Sequence, residues 1–191
     1  MKYNDYIDLQ KEKTTDPIRR KKWLNEEWDL KLKGFERIFN NNKEYIGDKC
    51  LCIGARTGQE VQALINIGKD ATGIDLVPCE PLVAEGDFHD LSYEDNSFDF
   101  IFSNVVDHAL YPDKFCSEAL RVLKPKGYIL FHLVVGELTD EYGVFDILDV
   151  KKDVLPFFNE CEIIAINDIQ PHTYPEFHCF NTELLIQRNS Y

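Results

Sequence analysis

Between Cys50 and Glu60 the chain reads CLCIGARTGQE, an apolar run that breaks into a loop with glycines at 54 and 58. Glycines in such a turn let backbone N–H groups close on a ligand, and a helix starting just after them presents its positive end to an anionic group. Carboxylates stand at the ends of two later apolar runs, Asp75 in GIDL and Asp87 in EGDFHDL, the second followed by the ring of Phe88. The first suits a pair of ribose-like hydroxyls; a carboxylate beside a ring suits the amino group and the face of a flat heterocycle. Asn104 ends a further run, and Asp107 and His108 follow in NVVDHALYP, where a histidine can take a proton near neutral pH.

These side chains meet only if alternating elements carry them to one edge of a sheet. Apolar runs predict strands over 50–54, 71–76, 82–88, 97–105 and 128–135, with helical patterns over 60–68 and 112–127 between them, the order of a doubly wound parallel sheet. Helical periodicity also covers 144–158. The runs over 161–168 and 178–188 are joined too closely for a crossover helix, so they predict an antiparallel hairpin at a sheet edge. Upstream, Asp16 and Pro17 suit an N-cap and first turn, and Trp23, Leu24, Trp28, Leu32, Phe35 and Phe39 recur at helical steps, predicting one amphipathic helix from Asp16 to Asn40. The expected fold is α/β, a Rossmann-like doubly wound sheet, mostly parallel, with an antiparallel C-terminal edge hairpin and a preceding amphipathic helix. Residues 1–49 are expected to pack as a helical extension or lid on the domain built by 50–191. In such a sheet the ligand lies beyond the carboxyl ends of the strands where their order reverses, and the 54–58 loop falls there.

A dinucleotide fingerprint starting at Gly54 needs glycines at 56 and 59, where the chain has Arg56 and Gln59. The G-x-G-x-G loop of S-adenosylmethionine enzymes needs 54, 56 and 58 and misses only the middle one. With Asp75, Asp87, Phe88, Asn104 and RVLKPKGYILF in order behind it, the stretch from about Cys50 to about Val135 resembles the class I S-adenosylmethionine-dependent methyltransferases, the broad type-11 group in particular. The strings GARTGQEV and FSNVVDHALYPDKF resemble a methyltransferase-like branch with its own form of the loop. The resemblance implies that Gly54, Ala55 and Gly58 shape the methionine end of the cofactor site, that Asp75, followed by Leu76, holds the ribose, that Asp87 and Phe88 hold the adenine, and that Asn104 borders the same pocket. It implies transfer of a methyl group to an O or N nucleophile of a small molecule, with S-adenosylhomocysteine as product and Asp107 or His108 as the base. Each residue has a plainer reading too: strand-end carboxylate, helix-start acid, packed histidine or core ring. His89 and His132 lie at or near strand ends with no role that sequence assigns.

The family pattern places an acid where this chain has Cys52 and a glycine where it has Arg56. The acid favours the ammonium of the methionine end; Cys52 removes that attraction, while Arg56 adds a cation able to pair bidentately with the carboxylate. The loop is thus expected to grip the carboxylate instead, with a solvent-facing Arg56 as the alternative. Loss of the acid also leaves room for a methyltransferase-like binding or regulatory protein without turnover.

Composition bounds these readings. The 191 residues, 44% of them hydrophobic, suffice for one domain with a proper core. No run approaches the ~20 apolar residues of a membrane span, and the start lacks the apolar core of a signal peptide, which predicts a cytoplasmic protein, here taken as a monomer. Six scattered cysteines without metal-ligand spacing predict reduced, mostly buried thiols and no metal site. Residues 1–49 carry 12 basic against 10 acidic side chains, and residues 50–191 carry 9 against 24. That acidic body argues against a nucleic-acid surface. RRKK at 19–22 alone speaks for an RNA or protein substrate, and a solvated helix face explains it as well. Trp23 and Trp28 would stack on substrate if the first helix covers the site, core packing being their commoner use.

Overall fold

Seven strands form one sheet in the computed structural model, which describes residues 1–137, 140–170, 172–177 and 179–190. In chain order the elements are α1 (Tyr3–Thr15), α2 (Pro17–Lys21), α3 (Trp28–Asn41), β1 (Lys49–Ile53), α4 (Gln59–Asn66), β2 (Asp70–Asp75), β3 (Val83–Glu85), β4 (Phe98–Ser103), α5 (Pro112–Val122), β5 (Leu123–Leu133), α6 (Val150–Asp153), β6 (Cys161–Asp168) and β7 (Thr182–Arg188). The sheet runs β3-β2-β1-β4-β5-β7-β6, parallel through β5, with β7 antiparallel to both β5 and β6. The order reverses between β1 and β4, so the loop after β1 opens at the switch point. The doubly wound sheet with an antiparallel C-terminal hairpin is as expected. The predicted last strand begins at residue 178, which lies outside the described residues; β7 begins at Thr182.

Alternation along the strands feeds two cores. Leu51, Ile53, Ile101 and Phe131 face α5, while Cys50, Cys52, Phe100 and Phe102 face α3 and α4. On that second face Phe35 and Phe39 of α3 meet Phe102 edge-on, at centroid distances of 5.7 and 5.3 Å. Gly34 lies against the ring of Phe177: a Cβ there would stand 2.7 Å from Cε2, so close packing explains this helical glycine. All six cysteines are free thiols; Cys50, Cys52 and Cys116 are buried and Cys179 is exposed.

The helical segments differ from expectation in four places. The single helix over 16–40 is broken: Asp16 caps α2 through its Oδ1, which accepts from Arg19 N at 2.7 Å, and Lys22–Glu26 is a π-helical turn before α3. Only the α3 end of the apolar stripe reaches the core; Leu24 is exposed. An additional helix, α1, precedes it, and its backbone leaves helical geometry at Asp16, where Pro17 disfavours continuation. Helix α5 stops at Val122 rather than 127: Leu123 already has extended backbone and opens β5, in which Lys124, before Pro125, continues. Of 144–158 only Val150–Asp153 and a 3-10 turn at Leu155–Phe158 are helical. The segment before them is tied elsewhere, with the N–H groups of Val144 and Phe145 both donating to Asp107 O.

Candidate functional site

The loop leaving β1 is held on the tip of β2. Gly54 N and Ala55 N both donate to Ile74 O at 2.9 Å, and Gly58 N donates to Ala55 O at 2.7 Å. Gly54 has φ +76°, and a Cβ there would lie 2.4 Å from Val105 Cγ2, so backbone conformation and space both demand glycine. Arg56 takes φ +49°, a region unfavourable for a side-chain-bearing residue, and its N–H donates to Asp75 Oδ2 at 3.0 Å. Asp75 Oδ1 accepts from Val77 N at 3.0 Å. One N–H on each oxygen leaves the carboxylate further acceptor capacity. Burial pushes its pKa up, against the pull of the Val77 N–H and the Arg56 guanidinium.

At the tip of β3 the second carboxylate is already engaged. Asp87 accepts from the hydroxyl of Tyr3 in α1 and, at Oδ1, from His89 N (2.9 Å) and His89 Nδ1 (3.0 Å). His89 Nε2 accepts from Tyr111 N at 3.2 Å, which fixes the neutral tautomer with its proton on Nδ1. Burial raises the Asp87 pKa, but the bonds from His89 and Tyr3 outweigh it and hold the carboxyl below its ordinary value. Phe88 packs edge-on against Phe115 at 5.1 Å.

Beyond β4 a 3-10 turn, Val106–His108, places the two candidate catalytic groups side by side. His108 Nδ1 stands 3.1 Å from the carbonyl oxygen of Tyr142 and donates to it, so Nε2 carries the lone pair, 3.9 Å from Asp107 Oδ2. Burial lowers the pKa of His108 and raises that of Asp107. The same Tyr142 oxygen accepts from Gln10 Nε2 at 2.6 Å, and Tyr6 donates to His108 O at 2.9 Å.

Three cavities surround the loop, and Arg56 borders all of them. The first, about 50 Å³, lies under α1 among Gly54, Asp75, Leu76, Phe88 and His108. The second, about 120 Å³, has Trp23, Lys31, Glu60 and Asn104 in its wall. The third, about 300 Å³, reaches Lys13, Asn104, Asp107, His108 and Phe180. The Arg56 guanidinium lies 4.4 Å from the centroid of the Trp23 ring and has no ion pair among the described residues. Trp23 thus faces the cleft, not the core. Ala55 and Gly58 shape the loop from beneath, and Asp87 turns toward α1 and away from all three cavities. His132 is buried in β5 with Glu183, 2.9 Å away, and does not reach them.

Sequence reading passed over Tyr3, Tyr6, Gln10 and Lys13, which line up along α1 and bond Asp87, His108, Tyr142 and Asp140 in turn. Their spacing of three and four is helical, but the stripe is polar, and apolar periodicity does not reveal it. Glu60 and Lys31 were missed for the same reason.

The chain superposes on 1,6-didemethyltoxoflavin-N1-methyltransferase from Burkholderia thailandensis with a TM-score of 0.74 at 12% identity, over 99% of this chain and 91% of that one. It matches an S-adenosylmethionine-dependent methyltransferase from Methanosarcina mazei at 0.65 and 17% identity, over 79% and 98%. A solved structure of a 4+2 cyclase matches at 0.63 and 18%, over 82% and 81%. The fold is therefore that of the class I S-adenosylmethionine-dependent methyltransferases. Residues 51–131, the stretch of the parallel strands, match the family model described as a methyltransferase domain. No curated protein matches the chain by sequence. The residues present fit S-adenosylmethionine in part: Asp75 has acceptor capacity to spare and Arg56 is an uncommitted cation, whereas Asp87 is spent on Tyr3 and His89.

Proposed function

We propose that the protein is an S-adenosylmethionine-dependent methyltransferase acting in the cytoplasm, as a monomer, on an O or N nucleophile of a small molecule. The observation that carries the reading is that Asp75, Arg56 and His108 border one cavity at the switch point. S-adenosylmethionine, when bound, supplies an electrophilic methyl group. The protein's part is alignment and activation of the acceptor. Gly54, Ala55, Arg56 and Gly58 shape the methionine end, Asp75 and Leu76 take the ribose, and Phe88 with Asp87 takes the adenine once Tyr3 yields. Asn104 and Phe180 border the acceptor space, where His108 Nε2 accepts the proton that the nucleophile gives up and Asp107 steadies the resulting imidazolium. Residues 1–49 act as the lid over this cleft, and residues 50–191 form the methyltransferase domain.

The acceptor reading rests on size and charge. The cavity of about 300 Å³ beside His108 has the size of a small-molecule site, which supports this reading. Within RRKK, Arg19 pairs with Glu141, Arg20 donates to Pro78 O and Lys22 pairs with Glu27, so three of its four cations are engaged internally. No helix among the described residues is long and apolar enough to cross a membrane. Calorimetric titration with S-adenosylmethionine and S-adenosylhomocysteine tests the proposal; no binding at millimolar ligand sinks it. A second reading, a methyltransferase-like binding protein without turnover, is favoured by the engagement of Asp87 with Tyr3. Binding without methyl transfer to any of a panel of small O and N nucleophiles would select it.

A further inference from the structure

Two acceptors line the 300 Å³ cavity beyond β4 without serving each other. His108 Nδ1 is spent on the Tyr142 carbonyl, so Nε2 offers a lone pair, and Asp107 Oδ2 stands 3.9 Å from it. That gap is too long for a hydrogen bond, and a neutral imidazole has no proton at Nε2 to give. The Asp107 side chain is 14% exposed, and among the described residues its carboxyl has no donor beyond its own backbone N–H. Two such groups left without a donor are costly. The rest of the wall adds charge of one sign. Of its two cations, Lys13 is held by Asp140 at 2.9 Å and Arg56 lies over Trp23, which leaves Asp107 and Glu137 with no lysine or arginine partner among the described residues. Residues 50–191 carry 24 acidic against 9 basic side chains, a field that draws cations toward an acidic cleft. Val105, Val134 and Phe180 give the same cavity an apolar side.

We propose that the acceptor is a primary amine carried on an apolar body, whose ammonium bridges Asp107 Oδ2 and His108 Nε2. The inference rests on the methyltransferase reading above and narrows its acceptor from an O or N nucleophile to an amine. One nitrogen can reach both acceptors across 3.9 Å and has three N–H donors to offer them. A hydroxyl has a single donor, so an alcohol of the same shape leaves either the carboxylate or the imidazole unserved. Selection is by donor count rather than by size, and it is steep because the unserved group is charged or partly buried. His108 Nε2 takes one proton from the ammonium, which leaves the lone pair on nitrogen that a methyl acceptor needs. Asp107 keeps its own N–H bond to the amine and faces the imidazolium so formed.

The test is calorimetry on protein saturated with S-adenosylhomocysteine and titrated near neutral pH with phenethylamine and with phenethyl alcohol, which share ring and chain and differ in the donor head. Phenethylamine is expected to bind at least about tenfold tighter, and Asp107→Asn to weaken it roughly tenfold while changing phenethyl alcohol less than about threefold. Equal affinity for the two probes, tighter binding of the alcohol, or an Asp107→Asn loss shared by both overturns the amine assignment. Saturated protein that does not bind phenethylamine overturns it too and leaves the cofactor reading standing; protein that takes up no S-adenosylhomocysteine overturns that reading and the amine assignment with it. Should Asp107→Asn not fold, Glu137→Gln, at an exposed position, reads the same contrast: a loss of about two- to fivefold for the amine alone supports the assignment, and an equal effect on both probes overturns it.

Discussion

Arg56 occupies the position at which loop conformation, cavity walls and charge all meet. Its left-handed backbone is secured by the Asp75 carboxylate, and its guanidinium lies 4.4 Å from the centroid of the Trp23 ring with no ion pair among the described residues. Arg56→Ala removes the cation while leaving the Asp75 bond to the backbone, so S-adenosylhomocysteine affinity should fall by about 1–3 kcal/mol, the scale of a hydrogen bond to a charged group. Unchanged affinity by calorimetry would return Arg56 to the role of a surface cation. His108 gives a pH prediction. Burial lowers its pKa, so the neutral base persists below the usual value of about 6.5, and the acid limb of the kcat profile should fall below that pH. The sign for stability agrees: a histidine depressed on folding stabilises above its unfolded pKa, and that contribution is lost as pH falls through the folded one. An acid limb that survives His108→Gln unchanged assigns the proton transfer elsewhere.

At the scale of elements, α1 is a polar strap rather than an apolar layer. Tyr6 is fully buried and the Tyr3 ring stacks on Tyr111 at 5.8 Å, while a row of hydrogen bonds completes the contact: Tyr3 to Asp87, Gln10 to Tyr142 and Lys13 to Asp140. Such a helix is stable only on its domain, and little of its sequence announces it. Tyr3→Phe should therefore raise hydrogen exchange throughout 3–15 by about tenfold or more while leaving the sheet protected, the loss being one charge-assisted bond of roughly 1–3 kcal/mol. Uniform protection in the variant would mean that the Tyr3 hydroxyl does not seat the helix. The same distinction separates legible from hidden elements. α3 and α4 were readable because their apolar faces obey the helical period. The π-turn at Lys22–Glu26 and the loop before α6 follow contacts with distant residues, Gln59 reaching Trp23 O and Asp107 O receiving Val144 and Phe145, and no local pattern encodes them.

For the whole molecule, the parallel strands carry both stability and site. Phe102 is 1% exposed and joins α3 to the sheet, so Phe102→Ala should cost about 3–5 kcal/mol and lower the melting temperature while the loop on the other side of Ser103 keeps its bonds. A loss under about 1 kcal/mol would place the core elsewhere. Runs such as CLCI and FDFIFS made this architecture legible, because strands buried on both faces must be apolar throughout. Glu60 was not legible, since only the folded chain shows it buried beside the cavity that Arg56 and Lys31 also border. The carbonyl of Tyr142, accepting from His108 Nδ1 and from Gln10 Nε2, has a consequence beyond holding two side chains. It is an interlock: the position of the strap and the proton inventory of the imidazole are read by one oxygen. In the proposed enzyme the base is set for proton uptake when α1 is down, so that activation of the acceptor and exclusion of water from the cleft arrive together.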